Sequence, residues 1–262
     1  MKANALTWFI IAISIFTYTV ETPLIVQAEQ LHLPDMKASS KAEDLSITYE
    51  EVKETEPEYK INVKIPSIKG MKDDVFQMKF NVGIKAKAEK KIGEFKKEAV
   101  QFAKELEQKG QPLRPFQLQV DPAVKKKGEL ISILNEVFVY KGGANGIQKV
   151  QTLNILNQNQ AKKLSFSDIF KEGADYKKKV NELVKQAIER RREAGEAFFE
   201  GEEGFQTATK DQSFYFEDRK LVLVFDEYEI APGVMGTPAF PISLEDIKDL
   251  LKPEIYNAVL HS

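Results

Sequence analysis

Short runs of alternating apolar and polar residues open the chain's folded part, a pattern typical of strands that bury one face. The first two runs are 45–49 and 61–65, with apolar side chains at every second position. The Glu-rich stretch 51–58 between them indicates a solvated turn, so the two runs predict a hairpin. Pro66 lacks an amide hydrogen, and we expect it to end the second strand.

The pattern then changes to the period of a helix, from residue 73 to about residue 109. Asp73 stands where an acidic residue favours a helix N-terminus, and Gly110 follows the last apolar position. The side chains expected to form its buried face are Ile92, Phe95, Ala99, Phe102, Ala103 and Leu106. A single long helix is therefore predicted here.

A glycine-rich turn joins the next two predicted strands, 129–140 and a run through residue 155. Glycine and asparagine tolerate the positive φ angles that tight turns require. The residues of this turn are Gly142, Gly143, Ala144, Asn145 and Gly146. It links strand to strand and has no following Lys-Ser/Thr, so we interpret it as a structural turn and not as a phosphate-binding loop.

The C-terminal part of the chain predicts a second helix at 176–188 and a last hairpin. Its strands are 214–216 and 221–225, and the continuous apolar run of the latter predicts a central strand covered on both faces. A short final helix begins near Ser243, and we expect Pro253 to close it.

The loop 228–240 combines two prolines and two glycines with large apolar side chains, which indicates a preorganised binding loop. We expect Tyr228, Ile230 and Phe240 to pack on the core. Residues 232–235 are then the predicted exposed contact surface.

Together these elements predict an α+β fold. It has an antiparallel sheet or sheets, a long helix in the N-terminal half and a second helix packed on the sheet. The predicted organisation is a signal peptide at 1–28, a flexible leader at 29–44, an N-terminal α+β subdomain at 45–160 and a C-terminal α+β subdomain at 161–262.

The export signal follows from three features: Lys2, the apolar run 8–20 and the small residues around Ala28, after which we expect cleavage. Cleavage leaves no membrane span and predicts a secreted protein. The alternative is an uncleaved anchor, because apolar residues continue at 24–26. The chain has no cysteine, which excludes a lipid-anchoring cysteine and disulfides.

Charge and composition narrow the possible partners. The net charge is −2, which gives no electrostatic footprint for nucleic acid. With 42% hydrophobic and 30% charged residues the composition is that of a globular chain and not a disordered one.

Most catalytic chemistries lack the side chains they need. The two histidines are His32, in the predicted leader, and His261, the penultimate residue; neither suits a general base. The chain has no cysteine, so it has neither a thiolate nucleophile nor a thiolate metal ligand. We therefore predict no catalytic residue, no metal site and no cofactor. One alternative stays open, a carbohydrate-active hydrolase using Asp226 or Glu227, because such enzymes need only two carboxyl groups.

Three segments carry a resemblance to a known family: 138–146, 164–170 and 214–240, the last including Tyr-Glu-Ile-Ala-Pro at 228–232. They resemble the extracellular domain family found in the anti-sigma factor RsiV and in the non-catalytic part of the peptidoglycan deacetylase PdaC. The resemblance covers about 45–251. Because only residues 1–7 precede the apolar run, we expect no cytosolic sigma-binding segment. We also expect no deacetylase domain, because the chain has no room for a further catalytic domain with metal-binding histidines.

The resemblance implies a lysozyme-binding module of the cell envelope, and binding of a peptidoglycan component is the alternative. The implied contact residues are Gly142, Gly143, Ala144, Asn145 and Gly146 of the turn, with Ala231, Pro232, Gly233, Val234, Met235 and Pro238 of the loop. Two positions differ from the family pattern: Asn145 stands where His is common, and Gly233 where Tyr is frequent.

Overall fold

The computed structural model describes residues 44–261, which belong to one compact unit, Ala42–Ser262. The predicted signal peptide and all but the last residue of the predicted leader lie outside the described residues. The fold is α+β, as predicted, and is built from two sheets and four α-helices within the described range.

The larger sheet has six strands in sequence order, and all its pairings are antiparallel except one. Its strands are β1 (Ser46–Glu56), β2 (Tyr59–Lys69), β3 (Phe116–Lys126), β4 (Leu130–Tyr140), β5 (Ile147–Leu156) and β6 (Lys162–Lys163). β2 and β3 run parallel because the helix α1 (Asp74–Gln108) crosses over between them.

Helix α1 matches the sequence prediction closely. Asp73 caps it by accepting a hydrogen bond from the backbone nitrogen of Phe76 at 2.9 Å. Its buried side includes Ile92, Phe95 and Ala99, and the ring of Phe95 lies 5.7 Å from that of Phe116 on β3. The helix therefore covers one face of the larger sheet.

Two predictions for the first hairpin are wrong. The stretch 51–58 is mostly strand, and β1 and β2 pair in register until Glu56 meets Tyr59. Pro66 does not end β2, which continues to Lys69. Pairing of β2 with β3 stops at Val63, so the chain passes Pro66 without losing a ladder bond on that side.

The second sheet has three strands, β7 (Phe214–Glu217), β8 (Lys220–Val224) and β9 (Ala239–Ser243). β8 is central, as its apolar sequence predicts. One face of this sheet packs on the larger sheet through Tyr215, Val222, Val224, Leu134 and Val150. The other face covers the main hydrophobic core, which it shares with α2 (Tyr176–Glu193), α3 (Leu244–Ile247) and α4 (Pro253–Leu260).

The end of the chain differs from the prediction in two ways. β9 begins at Ala239, inside the predicted loop 228–240. Pro241 is tolerated within this strand because β9 is an edge strand. Pro253 does not close a helix but begins α4, at a position where a missing amide hydrogen costs nothing.

Buried polar side chains join the two sheets. Ser132 donates to Asn154 Oδ1 at 2.6 Å, and Asn154 Nδ2 donates to the carbonyl of Phe214 at 2.7 Å. The backbone nitrogen of Phe216 donates to Ser132 Oγ at 3.1 Å. Edge strand β7 is thus bound through its backbone to the face of the larger sheet opposite α1.

Candidate partner-binding site

The loop after β8 is attached to the beginning of β5 by two carboxylates. Glu227 Oε2 accepts the backbone N–H of Gln148 at 2.6 Å, and the nitrogen of Glu227 donates to the carbonyl of Gln148 at 3.1 Å. Asp226 Oδ1 accepts the N–H of Val150 at 2.8 Å. These bonds occupy an otherwise unpaired strand edge, and they bring the loop next to the glycine turn.

The two carboxylates proposed for the hydrolase alternative, Asp226 and Glu227, are the ones that make these backbone contacts. One oxygen of each of Asp226 and Glu227 is already bound to backbone, and Asp226 Oδ2 lies 3.4 Å from Lys149 Nζ. Glu229 accepts the N–H of Asp226 at 2.8 Å. Desolvation raises the pKa of the Glu229 carboxyl; that hydrogen bond opposes the rise and the charge of Asp226 adds to it.

The loop is held at both ends and exposed in the middle. Ile230 and Ala231 are buried before it, and Pro238 is buried after it. Between them a 3-10 turn, Gly233–Met235, presents the Val234 side chain with 88% of its surface exposed. Ala231 and Pro238, two of the implied contact residues, are thus positioned to hold the loop.

Met235 is half-buried against the C-terminal core, so the exposed part of the predicted 232–235 surface centres on Val234.

Tyr228 does not pack on the core, contrary to the prediction. Its side chain is 51% exposed and its backbone has a φ of 67°, a conformation rare outside glycine. The phenol ring lies over Gly233, where an added Cβ would come 2.3 Å from the Tyr228 hydroxyl. An aromatic side chain therefore occupies the surface above Gly233, the position at which the family pattern has Tyr.

The glycine turn has a fixed base and an exposed tip. Gly142 is buried with a φ of 75°, and a Cβ there would meet the Phe102 ring of α1 at 2.5 Å. Gly146 lies as closely against the ring of Phe138. Residues 143–145 are exposed, so only the middle of the five-residue turn is free for contact.

A groove with a volume of about 330 Å³ lies beside these two loops. Its lining includes Gln119, Glu136, Phe138, Gln148 and Thr237, together with the charged residues Asp121 and Lys149. The first four stand on the sheet face opposite α1, and Thr237 belongs to the loop. The amino-acid sequence gives no signal for these strand residues, because the outward positions of an alternating strand ordinarily form its solvent face.

Within residues 44–261 no group of three or more His, Cys, Asp and Glu side chains is placed to hold a metal ion. Over the same range, no helix is both long and apolar enough to cross a membrane.

Comparison with known proteins relates both parts of the chain to protein families. Residues 167–245 match the DUF3298 family, described as proteins of unknown function, and residues 52–148 match the family described as deacetylase PdaC. Over 220 residues, 80% of this chain, it is 29% identical to the anti-sigma-V factor RsiV of Bacillus subtilis, spanning 72% of that protein. The chain is homologous to RsiV and PdaC.

The match to PdaC, the peptidoglycan-N-acetylmuramic acid deacetylase of the same organism, is 31% identical over 182 residues. These residues are 67% of this chain and 37% of the deacetylase. The glycine turn lies wholly within the PdaC-type region 52–148, and the loop lies in the DUF3298 region 167–245. The candidate site therefore combines residues from both regions.

Two solved structures share the fold. A DUF3298 family member from Bacteroides fragilis superposes with a TM-score of 0.65 at 18% identity, covering 82% of this chain and 97% of that one. A second member, from Pseudomonas aeruginosa, gives a TM-score of 0.53 at 18% identity, covering 82% and 98%. The arrangement of sheets and helices therefore belongs to a fold found in DUF3298 proteins.

Proposed function

We propose that this chain is a secreted, non-catalytic binding module of the bacterial cell envelope whose partner is lysozyme or another muramidase. The observation that carries the proposal is Val234, 88% exposed at the tip of a loop held at both ends. Homology to RsiV and PdaC supports a cell-envelope domain. The lysozyme partner rests on the family resemblance of the two loops.

The surface is suited to a protein partner because its groups are fixed before binding. Pro232 and Pro238 restrict the backbone, and the bonds between Glu227 and Gln148 attach the loop to a sheet. A preordered loop loses little conformational entropy on binding. Val234 and Tyr228 then supply an apolar and an aromatic contact, with residues 143–145 and the groove beside them.

Calorimetric titration with an animal-type lysozyme tests the partner. The protein used lacks residues 1–28 and retains the whole compact unit Ala42–Ser262. We expect a one-to-one complex whose dissociation constant rises about tenfold or more in Val234→Ser, the range of an interface hot spot. Val124→Ser is the matched control, since Val124 is also an exposed valine, 39%, but at the far end of β3.

A second variant tests the contact geometry. In Gly233→Ala the new methyl group would come 2.3 Å from the Tyr228 hydroxyl and 2.8 Å from Glu227 Oε1. Both contacts are with the ends of side chains, which can shift at small cost in stability. Lysozyme binding should weaken while the melting temperature changes little.

Three outcomes would replace the proposal. No heat with lysozyme, together with retention on purified peptidoglycan, would make the chain a glycan-binding module. Release of reducing sugar from peptidoglycan, abolished by Asp226→Asn, would identify the hydrolase instead. No heat and no retention would refute both partners implied by the family.

A further inference from the structure

The outer side of α1 exposes large apolar side chains that nothing in the described structure covers. Val75, Met78 and Val82 are 57%, 60% and 67% exposed. Spacings of three and four residues place them on one side of the helix, away from the buried Ile84 and Ala88. Three such neighbours form a patch, whereas single exposed apolar residues are ordinary.

Exposed lysines lie on the same side of α1, most of them closer to its C-terminus than the apolar patch. Lys90, Lys97 and Lys104 are spaced by seven residues, and Lys79 stands within the apolar patch; all four are exposed. Within the described structure none of these four lies within 4 Å of a carboxylate. Two exposed acidic residues, Glu89 and Glu107, lie on the same side of the helix.

Other lysines of α1 are used differently. Lys85 and Lys96 form ion pairs with Glu50 and Glu54 of β1, at 2.8 Å and 2.6 Å. These ion pairs join one side of α1 to the edge strand β1. The outer lysines form no such ion pair with the sheet within the described structure. Together with the apolar patch they extend about 44 Å along the helix, from Val75 to Lys104.

The described chain begins beside this patch. Leu45 and Ile47 pack in one cluster with Phe76 and Phe80, in the first turns of α1. The first described residues therefore lie at the same end of α1 as the apolar patch.

We infer that the outer side of α1 docks on the surface of an anionic lipid bilayer. Val75, Met78 and Val82 would enter the boundary between headgroups and acyl chains, and the lysines would lie over the headgroups. A soluble polyanion would attract the lysines but gain nothing from the apolar patch. Because the groove is on the sheet face opposite α1, docking would leave it turned away from the bilayer.

Vesicle flotation of the protein lacking residues 1–28 tests this inference independently of lysozyme. The probe is phosphatidylcholine vesicles containing about one third phosphatidylglycerol, compared with phosphatidylcholine alone. Binding should require the anionic lipid and decrease with added salt. Each lysine at an anionic surface contributes about fivefold to partitioning, so Lys90→Gln with Lys97→Gln should reduce it roughly 30-fold.

The matched charge control is Lys177→Gln with Lys178→Gln, two exposed lysines of α2, which should leave partitioning within about twofold. Val75→Ser with Val82→Ser should weaken it at least about fivefold through lost apolar contact. Val234→Ser should not change it. Circular dichroism and the melting temperature verify that each variant is folded.

Absence of binding to anionic vesicles would overturn the inference. A second result would also overturn it: vesicle binding that is unchanged in the Val75→Ser, Val82→Ser variant, together with equally tight binding of soluble polyphosphate. The surface would then be a site for polyanions in general. Either result leaves the lysozyme titration unaffected, and failure with lysozyme leaves the flotation result standing.

Discussion

Glu227 Oε2 accepts the backbone N–H of Gln148 at 2.6 Å, so a side chain completes the hydrogen bonding of a strand edge. Asp226 does the same for Val150, two residues along β5. Unpaired edges invite pairing with other chains, and two carboxylates block this one. The same hydrogen bonds hold the start of the loop that carries Tyr228 and Val234 against β5.

Removing the Asp226 carboxylate should destabilise the protein. In Asp226→Ala the N–H of Val150 loses its partner, and we expect a loss of about 1–3 kcal/mol in the free energy of unfolding. Asp226→Asn keeps an oxygen acceptor and should lose less. Urea denaturation measures the free energy of unfolding of both variants. Equal losses would show that the charge of Asp226, and not its hydrogen bond to Val150, stabilises the fold.

Substitution of Asn154 should destabilise the protein more than substitution of an exposed polar residue. It is 1% exposed and links Ser132 to the carbonyl of Phe214. Asn154→Leu would leave both partners unsatisfied, which should cost about 2–4 kcal/mol. Gln151→Leu, on the opposite face of β5, is the control, and thermal unfolding should show a much smaller change for it.

Two neighbouring glycines should respond differently to alanine. In Gly142→Ala the Cβ would come 2.5 Å from the Phe102 ring at a φ of 75°, so clash and backbone strain should cost about 1–3 kcal/mol. Gly143 has no atom closer than 4.0 Å to such a Cβ, and Gly143→Ala should be nearly neutral. Similar denaturation midpoints for the two variants would contradict the packing of the turn on α1.

Lys163 should make stability depend on pH in the alkaline range. Burial lowers the pKa of Lys163 to about 8, and the charge of Lys87 adds to the shift. The reference value is 10.5, so between these values the unfolded chain binds a proton that the folded chain does not. Folding stability therefore rises with pH from about 8 toward 10.5, and the cost of the buried charge is fully present below pH 8.

Replacement by methionine should remove this cost. We expect Lys163→Met to be more stable than the parent at neutral pH by about 1 kcal/mol, a figure reduced because the side chain keeps part of its contact with water. The difference should narrow as pH rises above 8. Urea denaturation at several pH values measures it, and a constant difference would show that Lys163 does not titrate in this range.

The helices and most strands could be predicted because each depends on a local period. Ile92, Phe95 and Ala99 form a buried side of α1 wherever the helix packs, and the apolar run of β8 requires cover on both faces. The glycine turn likewise follows from residues that permit positive φ. These features need no knowledge of distant partners.

The errors occur where pairing overrides local preference. Pro66 was expected to end a strand, yet β2 continues through it, beyond the point where its pairing with β3 stops. Tyr228 reads as a core residue, but a positive φ turns it outward over Gly233. Sequence alone contains neither fact.

The local sequence of this chain therefore determined its α+β class, its long helix, its glycine turn and the existence of a proline- and glycine-rich loop. Tertiary structure alone decided that the turn and the loop meet at β5, because that meeting depends on Asp226 and Glu227 binding backbone groups of Val150 and Gln148. Hydrogen bonds between residues more than 70 positions apart leave no period in a sequence.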